Sequence, residues 1–124
     1  MGLPDPPERG TSALPAGTFQ DQVVVVTGGG TGLGKAMAVE FARLGAKIAV
    51  LSRKQEHLEA GVAAVAALGA TGQGIACDIR QPEQVAAAFD AVEQQLGLPS
   101  VLVNNAAGNF PVPAEDMSPN AWRT

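Results

Sequence analysis

A run of four valines at 23–26 leads directly into the glycine-rich segment TGGGTGLG at 27–34, and apolar residues at helical spacing follow it. Glycines let a backbone approach a ligand closely, and the first turn of a helix offers unpaired N–H groups beside the positive end of its dipole. A strand, a glycine turn and a helix in this order are the context of a phosphate-binding turn. A turn that only packs the helix on the strand is the alternative, although one or two glycines would be enough for that. The segment reads TGxxxGxG rather than GxGxxG, and it is not GxxxxGK[ST], because neither Lys-Ser nor Lys-Thr follows the glycines.

Short apolar runs alternate with helical periodicity from residue 22 onward. The runs are VVVV at 23–26, IAVL at 48–51, GIAC at 74–77 and VLV at 101–103, and they start about 25 residues apart. Apolar residues recur at helical spacing between them, as in the series Leu33, Met37, Phe41 and Leu44. Two further series are Leu58, Val62, Val65 and Leu68, and Val85, Phe89, Val92 and Leu96. Each of the three series ends in a glycine, where a C-cap with positive φ is expected: Gly45, Gly69 and Gly97.

Runs that are apolar at every position predict strands buried on both faces, as in a parallel sheet covered by helices. Four strands with right-handed crossovers and a ligand at the switch point give the strand order 3-2-1-4. The predicted fold class is therefore α/β, the N-terminal half of a Rossmann-type doubly wound sheet, truncated at its C-terminus. Ser118 as N-cap and Pro119 in the first turn predict a fourth helix, and we expect Trp122 to pack this helix against the sheet. The expected organisation is a flexible arm at 1–18 and one dinucleotide-binding domain at 19–124.

Composition excludes several classes of protein. The net charge is −4 and there is no polybasic run, which argues against nucleic acid as a partner. The single Cys77 excludes an internal disulfide and a cysteine-based zinc cluster, and we expect no metal site. No stretch approaches the roughly 18 to 20 apolar residues of a membrane span, so we expect no membrane partner. The first residues match no targeting pattern, which favours the cytoplasm.

The end of the second strand bears on cofactor choice. A unit that selects NAD usually places Asp or Glu about 20 residues past the glycines, where it accepts hydrogen bonds from the ribose. This chain has Ser52, Arg53 and Lys54 there. A guanidinium can bind a 2′-phosphate through paired, charge-assisted bonds, so the site is predicted to favour NADP(H). The alternative is that Arg53 and Lys54 are solvated residues that open the second helix.

Other polar residues follow the third strand. Asp78 lies at the ligand side of the predicted sheet, where its carboxylate could accept from the adenine amino group, or it could instead cap the next helix. Arg80 could be a surface residue or an anion contact, and the sequence does not decide between them. We expect His57 on the solvated face of the second helix.

The segments TGGGTGLG, CDIR and NNAAG resemble those of the short-chain dehydrogenase/reductase family over roughly residues 20–124. Within that family, TGGGTGLGKAM, SRK and NNAAGNF followed by SPNAWRT are similar to the 2,4-dienoyl-CoA reductases. These enzymes reduce conjugated unsaturated acyl-CoA with NADPH during fatty-acid β-oxidation.

The resemblance implies roles for individual residues. The turn residues that would wrap the cofactor's phosphates are Gly28, Gly29, Gly30, Thr31, Gly32 and Leu33. Arg53 would hold the 2′-phosphate and Asp78 would face the adenine. The residues beneath the adenine ribose would be Asn105, Ala106 and Gly108. Substrate contacts in the acyl-CoA branch would come from Asn109 and Phe110, with Arg80 and Ser118 as weaker candidates. A core role for Phe110 stays open.

The family's proton-handling residues lie after the fifth strand, so the resemblance assigns no catalytic residue within 1–124. The predicted function is NADPH-dependent reduction of conjugated unsaturated acyl-CoA, with this chain as the cofactor-binding part and inactive alone. The alternatives are a carbonyl or 3-oxoacyl reductase of the same family and a non-catalytic dinucleotide-binding module. Family members are commonly tetramers, which predicts a homo-oligomer for the full-length parent.

Overall fold

The computed structural model describes residues 5, 8, 10–108 and 111–122, which form a parallel sheet with helices on both faces. The strands are β1 (Val23–Thr27), β2 (Lys47–Ser52), β3 (Gly72–Ala76) and β4 (Pro99–Val103). The helices are α1 (Gly32–Arg43), α2 (Gln55–Ala66), α3 (Pro82–Leu96) and the single turn α4 (Pro119–Trp122), with a 3-10 turn at Ala114–Asp116. The strand order is β3-β2-β1-β4 and all pairings are parallel, which confirms the predicted α/β class and topology.

The two central strands are buried on both faces. Val24 and Val26 of β1 join a core with residues of α1 and α2, whereas Val23 and Val25 join a second core with residues of α3. Successive side chains of a strand point to opposite faces, so a continuous apolar run supplies both cores at once. The chain therefore winds helices onto each side of β1 and β2.

The outer strands differ from the prediction of burial on both faces. No residue of β3 or β4 is fully buried, and Leu102 in β4 is about half exposed. Each of these strands pairs with one neighbour only within the described ranges, so helices cover their faces incompletely. Their apolar runs therefore predicted the two strands correctly but predicted their burial wrongly.

The most buried residues of helix α1 are small, although Phe41 of its apolar series also packs against the core. Its buried residues are Gly34, Ala38 and Ala42, spaced four apart on one face. Leu33, the first residue of that apolar series, is 78% exposed and lies outside the core. The start of α1 lies so close to the end of β1 that a Cβ on Gly34 would run into the carbonyl of Gly28.

The helix caps occur where the sequence predicts them, whereas the packing of Trp122 does not. Gly45, Gly69 and Gly97 have positive φ angles of 101°, 73° and 111°, as expected after helices. Ser118 caps α4, because its hydroxyl accepts the N–H of Ala121 at 3.2 Å. The indole of Trp122 is 81% exposed, and the buried residue of this one-turn helix is Ala121. The expected packing of Trp122 against the sheet was therefore wrong.

Candidate functional site

A cavity of about 470 Å³ opens at the carboxyl ends of β1, β2 and β3, beside the start of α1. A ligand at the carboxyl edge of a parallel sheet, where the strand order reverses, is the general rule for this architecture. The lining residues come from the turn after β1, from the ends of β2 and β3, and from the segment after β4: Gly28, Thr31, Gly32, Leu33, Gly34, Leu51, Ser52, Arg53, His57, Cys77, Asp78, Ile79, Arg80, Asn105, Ala106 and Ala107.

Three glycines of the turn are required for packing. A Cβ on Gly30 would run into the main-chain carbonyl of His57, and one on Gly34 would run into the carbonyl of Gly28. A Cβ on Gly28, whose φ is +67°, would lie 3.2 Å from the Cα of Ala106. These contacts hold the turn against α2 and against the segment after β4. The packing role weighed in the sequence analysis therefore applies to these positions.

Gly32 differs from them, because a Cβ there would meet no atom within 4 Å, and its φ is +49°. It lines the cavity at the first position of α1. The preceding Thr31 makes no side-chain cap bond, so the first-turn N–H groups of α1 receive no partner from the cap residue. An open glycine backbone at a helix N-terminus fits a phosphate group, which needs N–H donors and close approach.

The hydroxyl of Thr27 joins the end of β1 to the segment after β4. It accepts the N–H groups of Asn105 and Ala106, both at 3.0 Å, and donates to the carbonyl of Val103 at 3.3 Å. The Asn105 side chain adds a further bond between the same two segments, because its Nδ2 donates to the carbonyl of Thr27 at 2.9 Å. Asn105 and Ala106 are thereby fixed beside Gly28 on the cavity wall. The sequence analysis did not single out Thr27, although it is the first residue of the glycine segment.

The basic residues after β2 have different partners. Arg53 is exposed on the cavity wall and forms no ion pair with any described residue. Lys54 does not line the cavity, and its Nζ lies 3.8 Å from the Glu56 carboxylate. Of the two residues, Arg53 is therefore the one available to an anionic ligand. No acid occupies the end of β2, where a ribose-binding carboxylate would stand.

Asp78 and Arg80 form a two-pronged ion pair at the rim of the cavity. The Arg80 Nε lies 3.0 Å and 3.2 Å from the two Asp78 oxygens, and Nη2 lies 2.7 Å from Oδ2. The hydrogen bonds from the Arg80 side chain and backbone lower the pKa of Asp78 to about 2, and the charge of Arg53 acts in the same direction. The carboxylate is thus ionised and already holds strong donors. An adenine amino group would have to share it with Arg80.

Two residues that were not predicted as site residues also line the cavity. His57 was expected on a solvated face, which was wrong: its half-buried side chain lines the cavity and lies 3.7 Å from Glu56. The main chain of His57 lies directly against Gly30, where no Cβ would fit. Cys77 is buried at the end of β3, and burial, followed by the charge of Asp78, raises the pKa of its thiol.

Several predicted site residues lie away from the cavity surface. Gly29 and Gly30 are buried behind the turn, and Gly108 and Ser118 are exposed positions that do not line it. The Ser118 hydroxyl is occupied as a helix cap. Asn109 and Phe110 lie outside the described residues. The remaining predicted residues meet at the cavity: Gly28, Thr31, Gly32, Leu33, Arg53, Asp78, Arg80, Asn105 and Ala106.

Within the described ranges, no group of His, Cys, Asp and Glu side chains is placed to hold a metal ion. The helices of that part of the chain also include none with the length and apolar character needed to cross a bilayer.

Comparisons with known proteins place this site in a family. The family model described as short chain dehydrogenase matches residues 22–124. An uncharacterized oxidoreductase of Caenorhabditis elegans is 47% identical over 114 residues, covering 90% of this chain and 36% of the relative. A probable 2,4-dienoyl-CoA reductase of the same organism is 42% identical over 120 residues, covering 95% of this chain and 39% of the relative.

Among solved structures, a metagenomic short-chain oxidoreductase in complex with NADP superposes with a TM-score of 0.76 at 36% identity, covering 84% of this chain and 48% of the other. The chain thus spans less than half the length of the proteins it matches. The matched family model, the sheet order and the glycine turn agree, and this chain belongs to the short chain dehydrogenase family.

Proposed function

We propose that this chain is the cofactor-binding part of an NADPH-dependent oxidoreductase that reduces conjugated unsaturated acyl-CoA. The observation that carries the cofactor proposal is the wall of the cavity, to which both the open turn at Gly32 and Arg53 contribute, and Arg53 has no ion-pair partner in the described part of the chain. Support for the substrate class comes from the relative named as a probable 2,4-dienoyl-CoA reductase and from the NNAAGNF segment. The cytoplasm stays our prediction for the compartment, and a homo-oligomer stays our prediction for the whole protein. The arm at 1–18 and the domain at 19–124 are likewise proposed boundaries.

The residues of this chain would bind and orient NADP(H). The backbone at Gly32 and the first turn of α1 would hold the pyrophosphate, and Arg53 would bind the 2′-phosphate with its guanidinium fork. Asn105 and Ala106 would support the adenosine ribose from the cavity wall that Thr27 fixes. Gly28, Thr31 and Leu33, which also line the cavity, would complete the wall around the phosphates. Bound NADPH supplies a hydride, and the protein supplies position and electrostatics.

The cofactor proposal is tested by titrating NADPH and NADH into the 124-residue chain by calorimetry. We expect NADPH to bind more tightly, and we expect Arg53→Ala to raise its Kd about tenfold or more, the value of one charge-assisted contact. The Kd for NADH should change little, because NADH has no 2′-phosphate. Lys54→Ala is the matched control, since Lys54 is paired with Glu56 off the cavity wall. Equal losses of both nucleotides in Arg53→Ala would refute the 2′-phosphate assignment.

The substrate proposal needs a longer protein that contains this chain. Incubation with NADPH and either 2,4-dienoyl-CoA or 3-oxoacyl-CoA, followed by mass spectrometry, separates the two reductase classes. We expect the dienoyl-CoA to gain two hydrogens. Reduction of the 3-oxoacyl substrate alone would instead support a carbonyl or 3-oxoacyl reductase, and binding of NADPH without turnover of either would support a non-catalytic module.

A further inference from the structure

Three charged side chains share one end of the cavity. Arg53 follows β2, and Asp78 and Arg80 follow β3. The two strands are parallel neighbours in which Ser52 pairs with Ala76, so the residues after them emerge side by side. An acid therefore stands in the same corner as the arginine proposed for the 2′-phosphate. The charge of Arg53 adds a small part to the lowering of the Asp78 pKa, which comes mainly from Arg80.

Backbone bonds fix the position of the Asp78 carboxylate independently of the Arg80 side chain. The N–H of Arg80 donates to Asp78 Oδ1 at 3.0 Å, and the N–H of Asp78 donates to the side chain of Gln84 at 2.9 Å. A further turn bond joins the N–H of Gln81 to the carbonyl of Asp78 at 3.0 Å. Truncation of Arg80 would leave these bonds in place. The acid would stay where it is, with its charge no longer paired.

An unpaired carboxylate in this corner would oppose phosphate binding in two ways. It would repel a 2′-phosphate, which carries a charge of about −1.5 to −2 near neutral pH. It would also offer Arg53 an alternative partner, since a guanidinium binds a carboxylate and a phosphate with the same fork. The Arg80 guanidinium prevents both effects, because it binds the two oxygens of the Asp78 carboxylate at 2.7–3.2 Å. The Asp78 side chain is 17% exposed and that of Arg80 is 43% exposed, so the acid is the more enclosed partner of the pair.

We infer that Arg80 is a positioning residue for NADP(H) selectivity: it neutralises Asp78 and so keeps Arg53 free for the 2′-phosphate. This inference rests on the proposed function, because it concerns the same cofactor site. It assigns to Arg80 an action through Asp78 and not a direct contact with the phosphate. The charge of the Asp78 carboxylate is what Arg80 neutralises.

The test is the selectivity of the chain, defined as the Kd for NADH divided by the Kd for NADPH. This ratio cancels any contact that both nucleotides make, including one between Asp78 and the adenine. Calorimetric titrations would compare the original chain with Arg80→Ala, Asp78→Asn and the double variant, after circular dichroism has established that each is folded. We expect Arg80→Ala to lower the selectivity roughly fivefold, the effect of one uncompensated charge near a dianion after partial screening.

The double variant separates neutralisation from direct contact. If Arg80 acts through Asp78, removal of the carboxylate charge restores the selectivity of Arg80→Ala to that of Asp78→Asn. A loss of selectivity that persists in the double variant, or no loss in Arg80→Ala, would overturn the inference. In either case, a preference of the original chain for NADPH would still support the proposed function. Absence of that preference in the original chain would refute the proposed function itself.

Discussion

Replacement of Thr27 by valine tests how the cavity wall is held together. Valine keeps the shape of threonine but removes the hydroxyl, which accepts two N–H groups at 3.0 Å and donates one longer bond at 3.3 Å. Thr27 is only 5% exposed, so water would replace these bonds poorly. With about 0.5–1.5 kcal/mol for each bond and a further penalty for unpaired N–H groups, we expect a loss of about 2–4 kcal/mol in the free energy of unfolding. That is a large part of the 5–15 kcal/mol that typically stabilises a domain.

Urea unfolding of Thr27→Val and Thr27→Ser separates the hydroxyl from the methyl group. Serine keeps the three hydrogen bonds and loses one methyl, which costs about 1 kcal/mol. Thr27→Val should therefore be clearly less stable than Thr27→Ser, with similar denaturant slopes for both. A valine variant as stable as the serine variant would refute the claim that this hydroxyl joins β1 to the segment after β4.

Two further predictions concern the turn and the rim. Gly32→Ala should weaken NADPH binding, because the methyl would occupy the open side of the turn, whereas Gly69→Ala has a similar positive φ and equal free space and should leave the Kd unchanged. Each substitution should lower the free energy of unfolding by about 1–2 kcal/mol, as measured by calorimetry or urea unfolding. If Gly32→Ala bound NADPH as tightly as the original chain, the assignment of the turn would be contradicted. A carbon-13 titration of the Asp78 carboxyl should have its midpoint at about 2, and Arg80→Ala should move it up towards the ordinary 3.8. Since the folded state favours the ionised form, the contribution of Asp78 to stability is complete above pH 3.8 and is lost as the pH falls through about 2. An unchanged midpoint in Arg80→Ala would contradict the ion pair.

The topology could be predicted because the central strands have to be apolar on both faces. Only β1 and β2 meet that requirement fully, yet the runs of β3 and β4 also marked strands, although both begin two residues earlier than predicted. Burial could not be predicted for the outer strands, because it depends on which elements pack beside them. Hydropathy could not show which residues of α1 are buried either, since Gly34 and two alanines are buried whereas Leu33 is exposed.

The candidate site was predictable where backbone geometry selects the residue type. Gly28 and Gly32 of the turn are such positions, and they meet Arg53, which follows β2, at the cavity. Contacts between side chains that are distant in sequence were not predictable. Thr27 is 78 residues from Asn105, and His57 reaches the cavity from α2, whose main chain lies against Gly30. The Asp78–Arg80 pair is local, but only its geometry distinguishes an ion pair from two separate ligand contacts.

The most direct test of the account is to locate NADPH on the chain by the amide NMR shifts that it causes. The account predicts that the largest shifts fall on Gly28, Gly32 and Leu33 in the turn, on Arg53 after β2 and on Asn105 after β4. NADH should shift the turn and leave Arg53 nearly unchanged, because it has no 2′-phosphate. Shifts that avoid the glycine turn, or that are identical at Arg53 for both nucleotides, would contradict the proposal that this cavity is an NADP(H) site.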